Sequence, residues 1–253
     1  MRTAAILAVA FGALVGCADS ESIIAPEQEF SVAEARENQI LQSGGSYEIT
    51  VTNLTTLGGQ WFTPPLVAVH RKAEDFFTAG KAASDRLMGL AENGDVPSFA
   101  ADLEASPHVS GVTVGFGAAG PLAPSESVTV SLSADPGSNF VSFASMLICT
   151  NDGFTGVDGA KLPKGMGEEI EIYVGAYDAG TEINTEDFAD IVPPCQAVGG
   201  VSSDDPGTGM SDPALAENGV IQHHDGVAGR SDLVPGIHGW MGPVAKFTVK
   251  RTG

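Results

Sequence analysis

The carboxylates placed to act together are Asp152, Asp158, Asp178 and Glu182. Asp152 and Asp158 fall in a polar, glycine-containing stretch that follows the apolar run Phe143 to Cys149. Asp178 and Glu182 bound a second loop, Asp178-Ala-Gly-Thr-Glu182, after a segment (Glu169 to Val174) that alternates like a half-buried strand. If these strands are antiparallel neighbours, both loops lie at one end of a sheet, where converging oxygen ligands suit a hard cation such as calcium. Aspartate and glycine are also what ordinary turns are made of, so composition leaves both readings open. A nitrogen set offers another chemistry, a zinc-dependent hydrolase using His223, His224 and His238. Adjacent histidines on a strand point to opposite faces, which works against a shared ion. The chain carries no HExxH, no GxSxG and no phosphate-cradling P-loop, and Cys149 has no evident activating base. No catalytic role is expected.

Two motifs carry a resemblance. S-M-L-I-x-x-N-D-G-F-x-G-V-D, beginning at Ser145, followed by Y-D-A-G-T-E from Tyr177, resembles the signature of the spondin N-terminal domain family, the F-spondin- and mindin-like module. Weaker similarity in YEITVTNLT, FTPPLVAVH and PVAKFTVKR extends it over residues 46 to 251. The resemblance implies a β-sandwich, ligand binding rather than turnover, and a calcium site at Asp152, Asp178 and Glu182. Asp158 also matches, and either joins the cation or bonds turn amides. Glu182 stands where animal members have aspartate, which keeps the charge and lengthens the arm. Asn151 and Gly153 replace the family's proline and tryptophan, which weakens carry-over of a ligand surface more than of the ion.

The remaining composition sets the compartment. Twelve basic residues against 32 acidic give a formal charge of −20, which argues against nucleic acid or an anionic membrane surface as a direct partner. Met1-Arg2, the apolar run Ala4 to Val15 and Leu14-Val15-Gly16-Cys17 have the form of a lipoprotein signal peptide, with Cys17 the lipidated new N-terminus. Ala18 follows it, so the aspartate associated with inner-membrane retention is absent and an outer-membrane destination is favoured in a Gram-negative host. A secreted form with an ordinary signal peptide is the alternative. The other two cysteines, Cys149 and Cys195, are expected to pair as a disulfide in such an oxidising compartment and to tie the two acidic loops.

Three regions follow in order: 1–17 signal peptide, 18–45 flexible tether with a marginal helix over Phe30 to Leu41, and 46–253 a single domain. Tyr47 to Leu54, Leu66 to His70, Val112 to Phe116, Ser127 to Ala134, Asn139 to Cys149, Ile170 to Tyr177 and Val244 to Lys250 read as strands. The fold class is therefore all-β, an antiparallel β-sandwich. A short helical insertion near residues 72–105 (Ala82 to Glu92, and Ser98 to Glu104 after Pro97) is expected to cover one open end of the core. Ile170 to Tyr177 is expected inside a sheet, His70 at an edge, and residues 199–236 in long loops. Taken together, the expected protein is a lipid-anchored, calcium-binding envelope module that takes a protein or glycan ligand at the cell surface or acts in adhesion. A purely structural envelope scaffold is the other reading.

Overall fold

The computed structural model describes residues 44–201 and 203–253. The expected signal peptide, Cys17 and the Phe30 to Leu41 helix lie outside the described residues. The described chain forms an all-β sandwich of two antiparallel sheets with a few short helices.

Period-two alternation builds the first sheet. Strand β1 (Gly45–Asn53) buries Tyr47, Ile49 and Val51 and turns Glu48 outward. It pairs antiparallel with β4 (Ser127–Ala134) on one side and β10 (Ala245–Arg251) on the other, so that Ile49 lies opposite both Val130 and Val249. Strand β7 (Glu169–Val174) completes the order β4-β1-β10-β7. It was expected inside a sheet and is instead an edge. Its carboxylates Glu169 and Glu171 face solvent, which suits an edge that must not recruit another strand.

The second sheet runs β3 (Val109–Val114), β2 (Leu66–His70), β5 (Phe140–Met146), β6 (Gly153–Lys161), β8 (Ala176–Asp178) and β9 (Gln222–His223). Alternate residues of its central strands go to different layers. Val67, Val69, Val141 and Phe143 face the first sheet, with Phe143 stacked on Phe247 at 4.8 Å between centroids. Leu66, Ala68, Ala144 and Phe154 face the other way, against Leu87, Leu90, Phe99 and Leu103. Those last four belong to α1 (Asp85–Asn93) and α2 (Val96–Ala105). The helical insertion thus lies on the outer face of the six-stranded sheet rather than over an end. The physical reason is the apolar outer face of β2 and β5, which needs a cover. Burying each large side chain there contributes about 1.5–3 kcal/mol.

Local chemistry sets the helix ends. Ser84 caps α1 through an Oγ that accepts from Leu87 N, and Gly94 ends it in the left-handed region at φ 66°. Asp95 caps α2, accepting from Ser98 N at 3.1 Å, and Pro97 sits within the first turn, where no amide is missed. Arg86 pairs with Glu74 at 2.7 Å and lies over the Phe99 ring at 4.8 Å, tying the layer together.

Three further expectations are corrected. Strand β6 occupies the stretch read as a glycine-rich loop. The segment Ile170 to Tyr177 breaks at Gly175, leaving β7 in one sheet and β8 in the other. His70 lies in β2 between β3 and β5, not at an edge, with its Nε2 on Ser142 Oγ at 2.7 Å and Nδ1 on Arg71 O at 2.8 Å. Cys149 and Cys195 are joined as a disulfide, with Cα atoms 4.9 Å apart.

Candidate functional site

Strand pairing brings the two acidic loops together. Strands β6 and β8 are antiparallel neighbours with Gly153 opposite Asp178, so Asp152, just before β6, meets the turn that follows β8. The first loop is closed by Thr150, whose Oγ1 donates to Leu147 O at 2.6 Å and accepts from Gly153 N at 2.9 Å. The second turns at Gly180, with φ 68° and so little room that an added Cβ would fall 2.6 Å from Val220 N. Only glycine meets both demands.

Asp152 is fully buried. Its Oδ2 accepts from Thr181 N at 2.8 Å, Thr181 Oγ1 at 3.2 Å and Glu182 N at 3.1 Å. Its Oδ1 is buried with no hydrogen-bond partner. Burial first, and the charge of Asp178 second, push the Asp152 carboxyl up to about 7. Asp178 is buried too, and both of its oxygens are engaged: Oδ1 accepts from Gly180 N and Oδ2 from Asn184 Nδ2, each at 2.7 Å. Glu182 Oε1 accepts from Asp212 N at 3.1 Å. Burial, followed by the charges of Glu92, Asp152 and Asp190, pushes Glu182 up to about 7 as well.

Glu92, on α1, was missed by sequence reasoning. It is buried, its Oε2 has no hydrogen-bond partner, and its charge acts on Glu182. Nothing local marks it, because the helix that carries it reaches the loops only through tertiary packing. Asn151 braces the first loop from behind, donating to Thr185 Oγ1 at 3.1 Å and accepting from Glu186 N at 3.3 Å.

The other candidates are placed differently. Asp158 lies within β6, and its Oδ1 accepts from Phe76 N at 2.8 Å and Ser142 Oγ at 3.3 Å, fastening the segment that enters the helical layer. His223 is exposed and stacks on Tyr177 at 5.1 Å. His224 meets the Trp240 ring edge-on at 5.0 Å, and its Nδ1 accepts from Gly226 N. His238 is buried beside Phe188. Among the described residues, the trios whose ligand atoms all lie within 4.8 Å of one another are Cys149/Cys195/His238 and Asp187/Asp205/Asp232. The histidine trio expected for zinc is not such a set: His223 ends β9 and stacks on Tyr177, His224 turns to Trp240, and His238 closes the short helix Pro235–His238. Asp152, Asp178 and Glu182 share one neighbourhood but are not such a set either.

The two antiparallel sheets packed face to face, with the acidic loops meeting at one strand end, define an antiparallel β-sandwich module. The sequence model of the family described as Spondin_N matches residues 55–189, more than half of the chain, and the chain belongs to that family of extracellular, ligand-binding domains. No curated protein matches the chain. The matched part holds both acidic loops, the helical layer and Cys149, while β1, β10, Cys195 and His238 lie outside it. No helix among the described residues is long and apolar enough to cross a membrane.

Proposed function

We propose that the chain is a lipid-anchored, extracytoplasmic spondin-domain protein that binds calcium at its acidic loops and acts in ligand binding or adhesion, without catalysing a reaction. One observation carries the cation: Asp152 Oδ1 and Glu92 Oε2 are the buried carboxylate oxygens without a hydrogen-bond partner among the described residues, and both act on Glu182. Unpaired buried carboxylates are costly, and a divalent cation taking oxygen ligands offsets that cost. Asp152, Glu182 and Glu92, whose ligand atoms are not all within 4.8 Å of one another here, would draw together to hold the ion. Asp178, its oxygens already occupied, adds charge and shapes the turn.

The anchor is Cys17, the last residue of the 1–17 signal segment and the new N-terminus after cleavage, with 18–45 as the tether and 46–253 as the folded domain, at the outer membrane if the host is Gram-negative. The net charge of −20 supports a partner other than nucleic acid, a protein or glycan at the cell surface, with the lipid as the sole membrane contact.

Calorimetric titration of calcium into the wild type and into Asp152→Asn, Glu92→Gln, Glu182→Gln and Asp178→Asn tests the site. Calcium is expected to raise the unfolding temperature of the wild type by mass action, about 2.7 kcal/mol at a hundredfold excess over Kd. Magnesium is expected to do less, since it demands a tighter octahedron. Asp152→Asn, Glu92→Gln and Glu182→Gln are expected to weaken binding most. Loss of the response in Asp205→Asn alone would move the ion to the exposed Asp187/Asp205/Asp232 trio, and equal affinity throughout would remove it.

A further inference from the structure

We propose that Cys149 and Cys195 form a redox-active site, in which the Nε2–H of His238 receives the thiolate released when a small thiol or dithiol reductant opens the bridge. The inference does not depend on the cation. Both sulfurs and a ring nitrogen of His238 lie within 4.8 Å of one another, and all three residues are buried. The position of the ring proton follows from a single contact. Val234 N donates to His238 Nδ1 at 2.8 Å, and an amide N–H can only donate, so Nδ1 presents its lone pair. The neutral imidazole must then carry its proton on Nε2. That atom is buried beside the Gly199 backbone and makes no well-formed hydrogen bond, either there or to sulfur. Burial holds His238 below its ordinary titration range, which keeps the ring neutral near pH 7.

The same contact decides between two uses of the trio. Two cysteines and a histidine at this spacing also suit zinc, once reduced. A metal-bound imidazole, however, turns a lone pair to the ion and donates its other N–H to an acceptor. Here Nδ1 faces a donor, so the polarity is wrong for a metal at Nε2 and leaves Nε2 an N–H to offer when a thiolate forms. A hydrogen bond to a thiolate stabilises it, making it a better leaving group and the disulfide easier to reduce.

Gln60 keeps the arrangement in place independently of the bridge. Its Oε1 accepts from Cys149 N at 3.0 Å, and its Nε2 donates to Cys149 O at 3.0 Å and to His238 O at 2.8 Å. One buried side chain thus fixes the backbones of both residues relative to each other. The exchange balances with a dithiol. Its thiolate bonds to one protein sulfur, the S–S bond breaks, and the other protein sulfur leaves with the electron pair and accepts the His238 N–H. The second thiol of the reductant then displaces the first protein sulfur, to which its proton passes. The reductant ends as a disulfide and the protein as a thiol and thiolate, two electrons reduced.

The test uses the full chain, oxidised, as wild type, His238→Phe and His238→Gln, equilibrated at pH 7 with defined ratios of reduced and oxidised dithiothreitol. Reduced fractions are read by mass after acid quenching and alkylation of the denatured protein, so burial of the thiols does not matter. The wild type is expected to be reduced with an equilibrium constant about tenfold larger than His238→Phe, about 30 mV. His238→Gln, which can still offer an N–H, is expected to recover most of that difference. Equal constants in wild type and His238→Phe overturn the proposal. Should His238→Phe fail to fold, the reduced wild type decides alone through thiolate absorbance at 240 nm. An excess over the same protein unfolded in urea at pH 7 supports the assignment, and no excess overturns it. Stoichiometric zinc binding through both thiols of the reduced wild type overturns it as well, by making the trio a metal site.

Discussion

The two sheets of this sandwich do different work. The four-stranded sheet has one face on the core and one in water, and strands such as β4 alternate exposed and half-buried residues along most of their length. The six-stranded sheet is covered on both faces at its centre, so every residue of β2 is buried. The candidate site belongs entirely to the second sheet and the elements packed on it. A sheet held from both sides can present buried carboxylates at a strand end, because the surrounding layers fix the backbone that carries them. A sheet with one wet face has no such protected end.

The sharpest way to break this comparison is to remove the outer cover. Phe99 is fully buried in the helical layer, against Phe76 at 5.1 Å and beneath Arg86. Phe99→Ala is expected to cost about 3–5 kcal/mol in urea unfolding, as a large aromatic lost from a closed core does. A loss below about 1 kcal/mol would mean that the helices only rest on the sheet and that it is not clamped from both sides.

A second difference lies in protonation. Asp152 and Glu182 both titrate near 7 when folded, far above the range of a free carboxyl. Between about pH 4 and pH 7 the folded protein therefore holds protons that the unfolded chain has released. Stability conferred by those protons is present at the acidic end of this window and lost as pH rises through it. Without added calcium, the protein is expected to be less stable at pH 7.5 than at pH 5, by on the order of 2–4 kcal/mol. Asp152→Asn is expected to flatten the slope. Chemical denaturation across this pH range checks both, and stability that rises with pH would show that these carboxyls are charged and well satisfied in the folded state.

The same contrast explains what was legible in the sequence. Strands β1, β4 and β10 were placed to within a residue or two, because one-sided burial writes itself as alternation. The two cysteines and the two acidic loops were also legible, the loops through the motifs that contain them. Strand β6 was not, since Gly153, Gly156 and Asp158 look like turn material. Gly156 is there for closeness: an added Cβ would fall 2.6 Å from Phe143 O and 3.1 Å from the Phe77 ring. The seat of the helices was misplaced because a strand buried on both faces shows no period that reveals a second apolar face. Glu92 had no local signal, and the ring polarity of His238 depends on an amide contact that no spacing encodes.

The smallest expected effect lies on the wet face of the four-stranded sheet. Thr50 in β1 and Thr129 in β4 are directly opposite in register, and their hydroxyls are hydrogen-bonded at 2.8 Å in an exposed position. Water competes for both hydroxyls, so breaking the contact leaves neither stranded, unlike the loss of a partner inside the acidic loops. A cross-strand pair of this kind is worth about 0.2–1 kcal/mol. A double-mutant cycle with Thr50→Ala, Thr129→Ala and the combination is expected to return a coupling in that range. The single variants should leave the calcium response untouched, since neither residue reaches the second sheet's loops. Coupling well above 1 kcal/mol would mean that this face is not freely solvated, and the division between a wet sheet and a clamped one would have to be redrawn.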